Sequence, residues 1–349
     1  MNADTFLLTR ENLPDYLARR GLAGKDDSIL VQELGGGVSN FVLLMEWRDF
    51  PERRWVAKQS LEKLRVKDDW RSDRARIFRE AEAIQALRPV LGDSAVPEVI
   101  HVDRENYLFI MSAAPAGSVA WKDALLGRRA DLAVARQAGL LLARMINRSK
   151  ADPSFAVQFG DQTVFDQLGI DPYYRTTAAR HPDMRERFEE LMGVSRAIRA
   201  ALVHGDYSPK NMLIRGSNIF LIDFEVVHWG DPSFDAAFLL NHLFLKAFHQ
   251  PRFAHLYVAA ARQFWKALVT ALGILDLGNF GTPGFEILTL MHLGGLMLAR
   301  IDGKSPVEYL TDERAKEKVR QAAKRILRER PTDIEHAIGL ILEIIGGEG

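Results

Sequence analysis

The chain has 349 residues, 47% hydrophobic and 26% charged, and its 46 basic and 46 acidic side chains give a formal net charge of zero. That length exceeds one ordinary hydrophobic core, so two lobes are expected, and the balanced charge offers no electrostatic case for a nucleic-acid or anionic-membrane partner. The absence of cysteine excludes disulfides and thiolate metal sites and fits a reducing, cytoplasmic compartment.

Met1-Asn2-Ala3-Asp4 has neither the basic nor the apolar region of a secretory signal. Thr9 is read as the N-cap of a first helix that carries Leu13, Tyr16, Leu17 and Leu22 at helical spacing, with Gly21 near its stop. Ser28 to Leu34 and Asn40 to Trp47 then read as strands around the turn Gly35-Gly36-Gly37. Adjacent glycines leave backbone N–H groups open to phosphate oxygens, or serve as a plain hairpin tip; the sequence leaves both readings open. A third strand, Arg54 to Ser60, carries Lys58 behind Val56-Ala57, either under a nucleotide or at a solvated strand end.

Arg71 to Leu87 reads as a helix with Ile77, Ala81, Ile84 and Leu87 on one face. Glu80 borders that face and is the better partner for Lys58; Glu82 points about 200° away from it. Val96 to Ile100 and Tyr107 to Met111 complete a small antiparallel sheet, and Ser112 to Gly117 reads as the linker. The expected lobes are residues 1–114, which bind nucleotide, and 115–349, mostly helical with the catalytic loop and acceptor site. Helices are predicted over Asp131–Arg148, Phe188–Ala201, Phe234–Phe248, Phe253–Leu272, Phe285–Arg300, Asp312–Arg328 and Ile334–Ile345, with strands only around Leu202, Met212 and Phe220. The most apolar run, Ile287 to Ala299, falls short of the roughly 20 residues of a membrane span and contains His292, so it is read as a buried helix.

Two stretches carry chemistry. His204-Gly205-Asp206 is followed by Asn211, and an apolar run ends in Asp223-Phe224-Glu225. Hard oxygen groups at strand ends suit magnesium held against a polyphosphate. In that reading Asp206 takes the proton of a substrate hydroxyl, Asn211 and Asp223 bind magnesium, and Glu225 binds or orients a second ion. Asp206 alone also suits an Asx-turn. His204 is expected to fix the loop, Lys210 to touch phosphate or solvent, Asp235 to accept loop N–H groups, and Asp231 to cap the helix that follows.

In this order, Gly35-Gly36-Gly37, Val56-Ala57-Lys58, Glu80, His204-Gly205-Asp206 with Asn211, Asp223-Phe224-Glu225 and Gly230-Asp231-Pro232 with Asp235 resemble the aminoglycoside phosphotransferase and choline kinase superfamily. The flanking segments Leu7 to Leu22 and Lys58 to Arg76 resemble its methylthioribose kinase branch. The resemblance implies an α+β, two-lobed protein-kinase-like fold, ATP with its adenine against Met111, Ser112 and Ala114, and transfer of the γ-phosphate to a small-molecule hydroxyl. Methylthioribose kinases usually lack the amide at the place of Asn211 and carry paired arginines where this chain has Ala299-Arg300. Aminoglycosides want an acidic pocket, whereas acids and bases balance over residues 224–300, so a sugar-like or other neutral alcohol is expected. A true aminoglycoside kinase and a catalytically silent nucleotide-binding scaffold are the alternatives. ATP against GTP, and monomer against homodimer, stay open.

Overall fold

The computed structural model describes residues 6–35, 40–61, 73–273 and 281–347. The chain forms two compact units, Met1–Ala116 and Gly117–Gly349, dividing two residues later than the 114/115 boundary read from the sequence.

In the first unit Thr9 and Asn12 open α1 (Leu13–Arg19) reciprocally: Thr9 N–H donates to Asn12 Oδ1 at 2.7 Å and Asn12 N–H donates to Thr9 Oγ1 at 3.2 Å. Gly21, at φ +69°, ends it. The strands β1 (Ile29–Glu33), β2 (Asn40–Trp47), β3 (Arg54–Ser60), β4 (Val99–Asp103) and β5 (Leu108–Ser112) form an antiparallel sheet in the order β1-β2-β3-β5-β4. Cross-strand partners share a face, and Leu43, Ala57 and Ile110 are partners in register within the core built on α1 with Leu13, Tyr16 and Leu17. Lys58, one residue on, therefore projects from the opposite face, with Val42 and Phe109 as its partners.

That opposite face meets α2 (Arg76–Leu91). The helix starts later than predicted: 71 and 72 lie outside the described residues and 73–75 form a turn. It also runs past Leu87, with Pro89 inside its last turn. Pro89 and Gln85, whose carbonyl loses its donor there, are both exposed, so water can replace the missing bond. β4 starts at Val99 rather than Val96, because the Glu98 N–H is taken by Ser112 Oγ at 2.8 Å and the ladder shifts at a bulge between Val99 and His101.

The second unit opens with β6 (Val119–Ala120) and α3 (Trp121–Leu126), neither predicted, then α4 (Leu132–Ala151), capped by Asp131. Short helices α5 (Ser154–Gln158) and α6 (Thr163–Phe165) lead into a ten-residue π-helix, Asp166–Arg175, then α7 (Thr176–Arg180) and α8 (Arg185–Ala197). The predicted helix to Ala201 stops at Ala197 because β7 (Ala201–Val203) pairs with β10 (His228–Gly230). β8 (Met212–Arg215) and β9 (Asn218–Leu221) form a hairpin whose two-residue loop starts at Gly216, φ +58°.

Four long helices, α9 (Ser233–His249), α10 (Ala254–Leu272), α11 (Gly281–Asp302) and α12 (Glu313–Glu329), precede α13 (Ile334–Gly346). Within α11, Gly284–Asp302 is by length and composition apolar enough to cross a membrane, longer than the run judged from sequence; 72% of that window is buried inside the protein. α9 is buried from Ser233 to Phe248, which makes it the axis of this unit.

Candidate active site

The loop after β7 is built on glycine. Gly205 has φ +81°, and a Cβ there would come within 2.7 Å of the Val226 side chain, so the chain can turn at this place only without a side chain. The turn directs two successive N–H groups, of His204 and Gly205, into the carboxylate of Asp235 at 2.6 and 2.9 Å. Asp235 lies in the first turn of α9 and is fully buried. Burial pushes its carboxyl up to about 7 against the pull of these two N–H groups.

His204 pins the same loop with its ring. Its Nε2–H donates to the Ile222 carbonyl at 3.2 Å, and its Nδ1 accepts the Asp206 N–H at 3.3 Å, an arrangement of neutral imidazole. Burial holds it below the ordinary histidine range. Tyr207 O–H donates to the Ala138 carbonyl on α4 at 2.7 Å. Asn211 Nδ2–H donates to the Asp206 carbonyl at 2.9 Å, leaving the amide oxygen as the side chain's remaining polar atom.

With its backbone held at each end, the Asp206 side chain stays partly exposed and pairs with the Lys210 ammonium at 2.9 Å. Asp206 in turn holds Lys210 above its ordinary range. Asp223 follows β9 at φ +70°, a left-handed conformation that costs a residue with a side chain about 1–2 kcal/mol. The Ile222 N–H bond to the Asn211 carbonyl at 3.0 Å ties the two segments together. Ligand oxygens of Asp223 and the buried Glu225 lie within 4.8 Å of each other. Two carboxylates with an amide oxygen on the adjoining loop are a donor set for a hard divalent cation, and the residues present fit magnesium.

In the first unit Lys58 Nζ donates to Glu80 Oε2 at 2.6 Å, and both side chains are buried. The partner is Glu80; Glu82 pairs with Arg104 at 3.2 Å. Removing one member of such a buried pair typically costs about 3–5 kcal/mol. Met111 pairs in register with Val56, Ser112 Oγ accepts the Glu98 N–H, and the Ala114 carbonyl accepts Arg54 Nη1–H at 2.7 Å. Gly35 follows β1 in open space; Gly36 and Gly37 lie outside the described residues.

Sequence reading missed a buried relay behind the loop. Tyr174 O–H donates to His292 Nδ1 at 2.6 Å, and His292 Nε2–H donates to Asp231 Oδ2 at 3.0 Å. Asp231 also accepts the Ser233 N–H and O–H at 3.0 and 2.7 Å, fixing the start of α9 and so the place of Asp235. The available signal was His292 itself, the one ionisable residue in an apolar run.

Residues 30–271 match the phosphotransferase enzyme family. The chain is 28% identical over 265 residues to methylthioribose kinase 1 of Oryza sativa subsp. japonica, a match covering 68% of this chain and 60% of that protein. Among solved structures it resembles a choline/ethanolamine kinase family protein from Mesorhizobium loti, with 16% identity, a TM-score of 0.55 and coverage of 95% of this chain and 98% of the other. It also resembles an amicoumacin kinase solved with AMP-PNP and Ca2+, with 16% identity, a TM-score of 0.53 and coverage of 87% and 90%. These two likenesses support a kinase-like fold; with the family match over most of the chain, they make the protein a member of the phosphotransferase enzyme family.

Proposed function

We propose that the protein is an ATP- and magnesium-dependent small-molecule kinase whose acceptor is a hydroxyl compound, sugar-like as the sequence reading has it. The observation that carries this reading is the fixed loop itself: Asp206 is presented by a backbone held by Asp235, His204 and Tyr207, one hydrogen bond away from Asn211. Phosphoryl transfer asks a protein for positioning, charge neutralisation and a proton acceptor.

The Asp206 carboxylate accepts the hydroxyl proton as the acceptor oxygen bonds to the γ-phosphorus. The bond from that phosphorus to the β,γ-bridging oxygen breaks, ADP leaves with its electron pair, and the proton passes to solvent. Lys210 offsets the negative charge of Asp206 between turnovers. Lys58, oriented by Glu80, binds nucleotide phosphates. Magnesium, when bound, would neutralise phosphate charge; Asn211, Asp223 and Glu225 are the residues that would hold it.

Incubation with MgATP and a panel of sugars, sugar acids, choline, hydroxy amino acids and aminoglycosides, read as ADP release, tests the reading. Turnover of at least one acceptor is expected, and Asp206→Asn should lower its kcat by about 10²- to 10⁴-fold with the fold intact by circular dichroism. Full activity in Asp206→Asn would remove Asp206 from its role. No turnover with any acceptor would favour the nucleotide-binding scaffold.

A further inference from the structure

Phe238, His242 and Lys246 recur every four residues on α9 and so share one face. Lys246 is fully buried, and among the described residues its ammonium meets no carboxylate; it donates to the His242 carbonyl at 3.2 Å and lies 5.0 Å from the centre of the Tyr309 ring. Among the described residues the buried Tyr309 hydroxyl has no hydrogen-bond partner. Arg300, on α11, donates from Nη1 to Ser305 Oγ at 2.9 Å, while its buried Nε has no partner among the described residues. The neighbouring acid, Glu308, is paired with Lys122.

Lys246, Arg300 and Lys122 stand against Glu308 and Asp123, and buried polar atoms and charges are costly when unpaired, so a cluster with cations in excess of its acids calls for an anion. The cluster also adjoins the catalytic loop. The Arg300 guanidinium sits 5.7 Å from the centre of the Tyr173 ring, and the Tyr173 phenol, raised mainly by burial, is lowered by Arg300 and raised by Asp206. Tyr173 belongs to the π-helix, a wide-turned element often found at functional sites. Burial, with Lys122 next, pushes Lys246 down to about 7, as expected of an ammonium without its counter-ion.

We propose that Arg300, Lys246 and the Tyr309 hydroxyl bind a carboxylate carried by the acceptor, which makes the acceptor class hydroxy acids such as sugar acids. The planar guanidinium fork suits a carboxylate, and the lysine and phenol satisfy its second oxygen. Transfer to that acceptor rests on the kinase reading above; binding rests on the cluster alone.

Matched pairs separate the two. Gluconate against glucitol, and glycerate against glycerol, are titrated calorimetrically into the full chain without nucleotide and then assayed with MgATP for ADP release. The acid of at least one pair should bind about 10-fold or more tightly than its uncharged counterpart. Arg300→Gln and Lys246→Met should each reduce that preference about 10-fold, and Lys246→Met should melt no lower than wild type, since it deletes an uncompensated buried cation. Equal binding of acid and alcohol, no binding by either acid, or a preference unchanged in both variants overturns the site. Acid binding without ADP release contradicts the kinase reading and leaves the site standing; ADP release with the alcohols alone does the reverse.

Discussion

The loop around Asp206 and the Lys246–Arg300 cluster lie in the same helical unit and meet their polar groups differently. In the loop most polar groups at its base are answered from within the chain, the buried Ser208 hydroxyl excepted: Asp235 takes two N–H groups, His204 uses both ring nitrogens, and the Tyr207 hydroxyl ends on a carbonyl. In the cluster, among the described residues, a fully buried lysine meets no carboxylate, and an arginine Nε and a tyrosine hydroxyl are buried without a hydrogen-bond partner. A region satisfied by its own chain is built to hold a shape, whereas one left unsatisfied is built to be completed by something that arrives. Asp206 stands at the boundary, its backbone fixed and its carboxylate paired with the half-exposed Lys210.

The largest test of this contrast is Asp235→Ala. It strands two buried N–H donors, each costing about 1–3 kcal/mol, so a stability loss of about 2–6 kcal/mol is expected by urea unfolding, with kcat falling as the loop loosens. A change below 0.5 kcal/mol would mean that the loop is held by other means. A pH experiment sharpens the same point. The folded-state value of Asp235, about 7, lies above its ordinary 3.8, so the folded protein holds this proton more tightly. Its contribution to stability is therefore fully present below about pH 3.8 and is lost as the pH rises through 7. Unfolding free energies at pH 5 and 8 should show that decline in wild type and a smaller one in Asp235→Asn.

The finest comparison removes one oxygen from each region. Tyr207→Phe removes a buried hydrogen bond to the Ala138 carbonyl, which keeps its place in the α4 helix, and should cost about 0.5–1.5 kcal/mol. Tyr309→Phe deletes a hydroxyl that has no partner among the described residues and should cost less than about 0.5 kcal/mol. Equal losses, measured by urea unfolding, would erase the distinction between the two regions.

These regions were also unequally legible in the sequence. Asp206, Asn211, Asp223 and Asp235 sit at fixed short spacings beside apolar runs, and Lys58 and Glu80 could be assigned to faces by strand and helix periods, so their places followed from local pattern. Strands β6 and β10, of two and three residues, are too short to show a period, and the π-helix with Pro172 fits no 3.6-residue template. The helix predicted through Ala201 failed where pairing with β10 overrode a continuous helical pattern. The cluster was least visible because it joins residues 173, 246, 300 and 309, which only the fold brings near; Ala299-Arg300 was noted merely as a departure from a family pattern. The link from Tyr174 through His292 to Asp231 was hidden for the same reason.

The most direct measurement of the central claim, that the segments around Asp206 and Asp223 handle magnesium and nucleotide for phosphoryl transfer, is calorimetric titration of ATP into wild type and Asp223→Ala, with and without magnesium. Asp223 is held in a strained left-handed backbone beside Glu225, so its removal should abolish the gain in ATP affinity that magnesium gives, a loss of about 10-fold or more. An unchanged, magnesium-enhanced affinity in Asp223→Ala would contradict the account.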